Sequence, residues 1–157
     1  MADQATGISI IRASVGHLDI LTPLFDGYRQ FYEQASDPGA ARDYLEARIE
    51  ANSCVIFVAV DKNGAGCGFV LLYPTWDSVD LRTYWILHDL FVDPNCRTHG
   101  TGSALMNTAA EFGRSVGASR LDLGTGVKNT TAQSLYESLG WQRDTEFFSY
   151  SLDLEGD

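Results

Sequence analysis

Leu87-His88-Asp89-Leu90-Phe91-Val92-Asp93-Pro94, followed by Arg97-Thr98-His99-Gly100-Thr101-Gly102, decides how this chain is read. The first part is apolar at strand spacing, the second is a glycine turn, and a helical pattern follows. A strand, a tight turn and a helix start in that order point several backbone N–H groups outward at the positive end of a helix dipole. That arrangement suits a phosphate or pyrophosphate. Each charge-assisted hydrogen bond there contributes roughly 1.5–3 kcal/mol. Glycine is required where a Cβ would block the ligand or forbid the turn.

Upstream, Leu81–Asp93 reads as a long central strand with apolar residues on both faces. Before it, Cys54–Val60 and Cys67–Tyr73 read as two strands joined by a hairpin turn at Asp61-Lys62-Asn63-Gly64, and Pro74–Asp80 as a loop. The N-terminal third opens with a strand at about Ile8–Ala13 and a cap at Ser14. A helix carrying Leu18, Leu21, Phe25, Tyr28 and Tyr32 follows, with Pro23 expected to kink it or start its main part. Ser36-Asp37-Pro38 opens a second helix with Ala41, Leu45 and Ile49 on its apolar face. Downstream, Leu105, Ala109, Phe112 and Val116 mark a third helix ending at Gly117, and Ser119–Leu123 a strand. Thr130-x-x-Gln133 resembles a capping box for a fourth helix that stops at Gly140, and Phe147–Leu154 alternates as a last strand. The whole, residues 1–157, reads as one mixed α/β domain.

Composition fits that reading. A hydrophobic fraction of 45% in 157 residues supports one proper core, and no window has the apolar length of a membrane span. Met1-Ala2-Asp3-Gln4 lacks the basic and apolar regions of a signal peptide, so a soluble, cytoplasmic protein is expected. A net charge of −10 disfavours nucleic acid, whose affinity rests on phosphate neutralisation. Only residues 97–143 are net positive, with five basic and three acidic side chains, as an anionic ligand at the turn favours. Cys54, Cys67 and Cys96 lack metal-ligand spacing; the two in apolar, strand-like surroundings are expected as buried free thiols, and Cys96 beside the turn reads as a bystander in preference to a reactive thiol. The acids Asp26, Glu33, Asp37 and Asp43 read as a solvated face. Two glycine clusters, Gly64–Gly68 and Gly124-Thr125-Gly126, open no helix or lack the third glycine of a dinucleotide fingerprint.

Trp85 to Pro94, followed by Arg97-x-x-Gly100-x-Gly102, resembles the GNAT superfamily of acetyl-CoA-dependent N-acetyltransferases. Within it, the central motif is most similar to the spermidine/spermine-type and thialysine-type enzymes. Asn129-Thr130-Thr131-Ala132-Gln133-x-Leu135-Tyr136-x-x-Leu139-Gly140-Trp141 resembles the family's asparagine-to-tyrosine helix and the aromatic after its glycine. Thr98 departs from the pattern, where many relatives carry glycine. The resemblance implies a central mixed sheet of six to seven strands, splayed between the fourth and fifth, with about four flanking helices. It implies a pantetheine arm on the backbone of Leu90, Phe91 and Val92, and a pyrophosphate on Arg97, Thr98, His99, Gly100, Thr101, Gly102 and Ser103. Asn129 would contact the cofactor and Tyr136 would face the thioester sulfur. No metal is implied, and a homodimer is expected from family behaviour.

The chemistry gives these roles a reason. A lysine-like amine at pH 7 holds its neutral form at a cost of about 4.6 kcal/mol, so a base must take a proton. His88 occupies the place of a glutamate in those relatives, and an imidazole titrates near neutrality. It is the preferred base, against a satisfied histidine on a central strand. Tyr136 suits a general acid toward the departing thiolate, against a core residue on its helix's apolar stripe. Asp89 falls on the opposite face from His88 if the strand is regular, where it binds a cationic substrate or serves a structural pair. Phe25, Tyr28, Phe31 and Tyr32 are candidates for a substrate pocket wall, against core packing, the safer reading for Phe25 and Tyr28. The expected activity is acetyl transfer to a small polyamine or amino-acid-like amine by direct attack in a ternary complex. A protein-lysine acetyltransferase, a non-catalytic CoA sensor, and an NAD or ATP enzyme are the alternatives.

Overall fold

The computed structural model describes residues 2–3, 7–97 and 100–156, with side chains described from Gly7 onward; Thr98 and His99 lie outside the described residues. Two compact units divide the chain, Met1–Gly124 and Thr125–Asp157.

The first unit holds one sheet, in which the strands lie in chain order: β1 (Ala2–Asp3), β2 (Ile8–Arg12), β3 (Val55–Val60), β4 (Gly66–Asp77), β5 (Arg82–Val92) and β6 (Leu121–Asp122). Neighbours are antiparallel except β5 and β6, which are parallel, so the sheet is mixed. All six residues of β3 are buried, as an unbroken run of valine, isoleucine, phenylalanine and alanine requires when both faces are covered. The β3–β4 turn closes on the Asp61 carboxylate, which accepts from the Asn63 and Ala65 amides, and Gly64 takes φ +81°.

Alternate residues of the strands meet different helices. Val58, Phe69 and Leu71 join Leu18, Leu21 and Phe25 of α1 (Leu18–Phe31) and Ala41 and Leu45 of α2 (Pro38–Glu50) in one buried cluster. On the other face, Phe57 and Trp85 pack their rings against Phe112 of α3 (Thr101–Ser115), at centroid distances of 5.8 and 4.9 Å. None of the described helices is long and apolar enough to cross a membrane. Pro23 does not start α1, which begins at Leu18 and carries the proline inside it. Asp37 caps α2 by accepting from the Ala40 amide.

The expected loop Pro74–Asp80 is mostly strand, because β4 continues to Asp77. Proline is tolerated there for a geometric reason. Its partner Trp85 donates its amide to Arg120 on the β6 side, so the Pro74–Trp85 pair exchanges no ladder bond, and β3 ends opposite Leu72. Glycine at position 68 is dictated by the β4–β5 approach: a Cβ there would lie 2.6 Å from the Phe91 carbonyl oxygen.

Asp26 departs from the expected solvated face. It is buried on α1 and accepts from the Ser36 hydroxyl at 2.6 Å, the Asp37 amide at 2.8 Å and Gln30 at 3.0 Å. Those donors tie the α1–α2 connection to α1. The Ser36 hydroxyl first, then the Asp37 amide, hold the carboxyl below its ordinary 3.8, against the upward push of burial.

The second unit, Thr125–Asp157, contains α4 (Thr130–Ser138). Its cap is Asn129, one residue before the expected Thr130: Asn129 Oδ1 accepts from the Ala132 amide, and the Gln133 side chain instead donates to the Gly126 and Val127 carbonyls. The last strand expected at Phe147–Leu154 does not form. The segment is irregular, with Phe147, Phe148, Tyr150, Leu152 and Leu154 exposed. Alternation alone does not make a strand without an edge to pair with. Here Asp144 instead turns the chain locally by accepting from the Glu146 and Phe147 amides, and Asp153 by accepting from the Glu155 amide.

A carboxyl with a depressed folded pKa contributes stability that is complete above the unfolded value and is lost as pH falls through the folded one. Asp26→Asn therefore lowers the melting temperature by several degrees at pH 7, and its deficit against the parent shrinks below pH 3.8. Paired thermal melts from pH 7 to 2.5 measure this, and a deficit independent of pH refutes the assignment.

Candidate active site

The site is built at the place where β5 parts from β6. Among the described residues the two strands pair only at Trp85↔Leu121 and Ile86↔Asp122, and from Leu87 to Val92 β5 has no partner strand on that side. The registers with β4 run Leu72↔Leu87 and then Leu71↔Asp89, which leaves His88 as an extra residue, a β-bulge. The bulge reverses the alternation of the strand. Before it, the Trp85 amide donates away from β4, to the Arg120 carbonyl at 3.3 Å; after it, the Asp93 amide donates toward β4, to the Cys67 carbonyl at 2.8 Å. Residues 91 and 93 thus bond to β4, and the N–H and C=O of Leu90 and Val92 face the parted edge. The Val92 carbonyl there accepts from Arg97 Nε at 3.1 Å. Phe91 differs from its neighbours: its backbone faces β4, and its ring packs near Tyr28 and Phe69.

The same reversal brings His88 and Asp89 together. Trp85 packs on α3 and Phe91 on α1, although six residues separate them and a regular strand would place both on one face. Asp89 does not lie opposite His88, as a regular strand predicts. Its carboxylate Oδ1 is 3.3 Å from His88 Nδ1 and accepts from the Tyr28 hydroxyl at 2.6 Å. Asp89 is 8% exposed, whereas the His88 side chain is 61% exposed. The cluster therefore has a buried anion at its base and an imidazole at its mouth.

Aromatic rings surround it. Tyr73 meets the His88 ring edge-on at 5.4 Å, and its hydroxyl lies 2.6 Å from that of Tyr44. Burial first, and then the Tyr44 hydroxyl, push the Tyr73 phenol well above its ordinary value, so it stays protonated across the physiological range. Tyr28 is half-buried against Phe69, and Tyr32 is exposed with its ring edge-on to Tyr28 at 5.1 Å. Sequence reasoning did not single out Tyr44 or Tyr73. Tyr44 sits between Ala41 and Leu45 on α2 and Tyr73 within an apolar run, so neither carried a distinguishing pattern.

Downstream, Asp93 caps the 3-10 turn Pro94–Cys96 by accepting from the Asn95 amide at 2.8 Å. Gly100 is the cap residue of α3 with φ +75°, a conformation open to glycine and poorly tolerated by other residues. It brings no side chain to bond the helix start. The first helical bond runs from the Ala104 amide to the Gly100 carbonyl, so the amides of Thr101, Gly102 and Ser103 precede the ladder. Thr101 is buried and its hydroxyl donates to the Cys96 carbonyl at 3.3 Å. Thr98 and His99, expected on the same turn, lie outside the described residues.

In the second unit, Asn129 uses its side-chain oxygen to cap α4. Tyr136 is half-buried, its ring 6.3 Å from that of Trp141, whose amide donates to the Tyr136 carbonyl. Among the described residues no group of three or more histidine, cysteine, aspartate or glutamate side chains is placed to hold a metal ion.

Comparison with known proteins agrees with this architecture. Residues 21–141 match the model of the acetyltransferase (GNAT) family. An uncharacterised N-acetyltransferase of Bacillus subtilis, YhfO, is 42% identical over 147 residues, 94% of this chain and 98% of that protein. A probable acetyltransferase of Haemophilus influenzae is 34% identical over 67% of this chain and 72% of its own length. Among solved structures, that of a probable acetyltransferase superposes with a TM-score of 0.89 at 37% identity, over 95% of this chain and 99% of that one. An aminoglycoside N-acetyltransferase solved with CoA shares the fold, with a TM-score of 0.80 at 20% identity over 97% of this chain and 99% of that one. The strand with its bulge, the glycine-capped helix and these likenesses agree: the chain belongs to the GNAT family of acetyltransferases, enzymes that move an acetyl group from acetyl-CoA to an acceptor.

Proposed function

We propose that this protein acetylates the primary amine of a small polyamine or amino-acid-like molecule by direct attack within a ternary complex. The observation that carries the reading is the Tyr28–Asp89–His88 cluster beside the parted edge of β5. A buried carboxylate at the base of an aromatic cluster attracts a cationic amine, and an imidazole at its mouth is positioned to take the amine's proton. Tyr28 holds Asp89, and Asp89 holds His88 by its Nδ1; with the proton on Nδ1, the imidazole offers Nε2 as the base. Tyr32 extends the aromatic wall.

The residues of the cradle fit acetyl-CoA, which supplies an activated acetyl thioester when bound. The outward amides and carbonyls of Leu90 and Val92 suit the amide-bearing pantetheine arm. The amides of Thr101, Gly102 and Ser103 at a glycine cap suit its pyrophosphate, and Arg97, Thr98 and His99, the residues that precede the cap in sequence, are assigned to the same group. Phe91 supports that edge from the core side and Asn129 contacts the cofactor. Tyr136 donates a proton to the departing thiolate. No cysteine is assigned to carry the acetyl group. The enzyme works in the cytoplasm as a homodimer.

An acetylation screen with acetyl-CoA over polyamines, amino acids, aminoglycosides and lysine peptides tests the acceptor. Transfer to polyamines or amino acids is expected. Transfer confined to peptide lysines makes it a protein acetyltransferase instead, and tight CoA binding without any transfer makes it a sensor. A thermal shift with NAD or ATP and none with acetyl-CoA would overturn the donor itself.

His88→Ala is expected to lower kcat about 10²–10⁴-fold while acetyl-CoA affinity stays near that of the parent. Parent-like turnover relieves His88 of the base role. Tyr136→Phe is expected to reduce turnover at least about tenfold while acetyl-CoA affinity, followed by calorimetry, stays near that of the parent. Parent-like turnover removes Tyr136 from the mechanism.

A further inference from the structure

Two thiols that acetyl transfer does not use meet where the anion-binding turn begins. Cys67 is the second residue of β4 and is buried; Cys96 ends the Pro94–Cys96 turn and is half-buried. The Cys96 thiol donates to the Cys67 sulfur across 2.7 Å, although 29 positions of chain separate the two residues. A covalent S–S bond is about 2.0 Å, so bonding needs less than an ångström of approach.

Backbone hydrogen bonds set this meeting. The Asp93 amide donates to the Cys67 carbonyl at 2.8 Å, and the Cys96 amide donates to the Asp93 carbonyl at 2.8 Å. On its other side, the Cys96 carbonyl accepts from the hydroxyl of Thr101, the first residue of α3. Cys96 is thus the joint between β4 and the helix whose first amides form the cradle.

We propose that Cys67 and Cys96 are an oxidisable pair that closes to an intramolecular disulfide and clamps the turn before α3 onto β4. The oxidant is a hydroperoxide. The Cys96 sulfur attacks the O–O bond, an alcohol (water, for hydrogen peroxide) leaves, and Cys96 becomes a sulfenic acid. The Cys67 sulfur then attacks the Cys96 sulfur; the S–S bond forms, the S–O bond breaks, and the departing hydroxide takes the Cys67 proton to leave as water. Two electrons pass from the two sulfurs to the peroxide. Burial first, and then the neighbouring Cys96 sulfur, push the Cys67 thiol up to about 12, which fits the half-buried Cys96 as the first to react. Burial pushes the Cys54 thiol up as well.

Trypsin separates the three cysteines, because cleavage after Arg48, Lys62, Arg82 and Arg97 gives peptides 49–62, 63–82 and 83–97. The reduced protein is treated with hydrogen peroxide, alkylated under denaturing conditions and digested. The expected product is a cross-link of 63–82 with 83–97, two hydrogens lighter than the sum of the two peptides, with Cys54 alkylated. Dithiothreitol reverses it. The oxidised protein is expected to melt at least ~3 °C higher, because the bridge closes a long loop. Cys96→Ser, at a half-buried position, folds and shows neither change on treatment. Three alkylated cysteines after peroxide, a bridge to Cys54, or sulfinic Cys96 beside alkylated Cys67 each overturn the pairing. A fully bridged protein with an unshifted melting temperature overturns the clamp.

Discussion

The extra residue at His88 is the constraint on which the rest of the site depends. A strand that kept its period of two from Trp85 to Val92 would turn the backbone of Leu90 and Val92 into the β4 ladder and send Asp89 toward α3. One inserted residue reverses both. The polar backbone of the last strand segment then faces the side where β6 has ended, and two neighbouring side chains, His88 and Asp89, share the α1 side. Beyond the bulge, Gly68 lets the Phe91 carbonyl approach so closely that a Cβ would collide with it; at the bulge, the Tyr28 hydroxyl donates to the Asp89 carboxylate at 2.6 Å.

Burial makes those two carboxylates, Asp26 and Asp89, meaningful. Each sits on or against α1, and an ion taken out of water is tolerated only when its lone pairs are met. Asp26 is met by Ser36, Asp37 and Gln30, all within its own helix or the following connection, and so serves to tie α1 to α2. Asp89 has Tyr28 and the exposed His88 on a single oxygen, Oδ1, and among the described residues no backbone amide donates to it. The first arrangement is structural. The second directs a negative charge toward a histidine that reaches solvent.

Much of the fold was legible because local chemistry and periodicity agreed. The hairpin at Asp61–Gly64, the Asp37 cap, the apolar run of β3 and the glycine at the head of α3 each follow from residues within a few positions of one another. The bulge was not legible, since nothing in Leu87-His88-Asp89 marks an insertion; it is a property of the register with β4. Reading the strand as regular therefore separated His88 from Asp89. Asp26 was misjudged for a similar reason, because its donors Ser36 and Asp37 lie ten and eleven residues away, past the end of the helix. At Phe147–Leu154 the alternating pattern was real, but a strand also requires a neighbouring edge, and sequence periodicity does not supply one.

The two halves of the site in the first unit are made of different material. In the proposed site the cradle for the donor consists of backbone: the amides at the start of α3 and the outward groups of Leu90 and Val92, with Gly100 held at φ +75°. The proposed acceptor side consists of side chains, Tyr28, Asp89, His88, Tyr73 and Tyr44, whose hydrogen bonds join α1 to β5 and α2 to β4. Substitution alters side chains and leaves backbone amides in place. A fold built this way can keep one acyl donor while its acceptor changes, because the residues that choose the acceptor are not the groups that hold the donor. The bulge joins the halves: the same extra residue that turns the Leu90 and Val92 backbone outward also brings His88 beside Asp89.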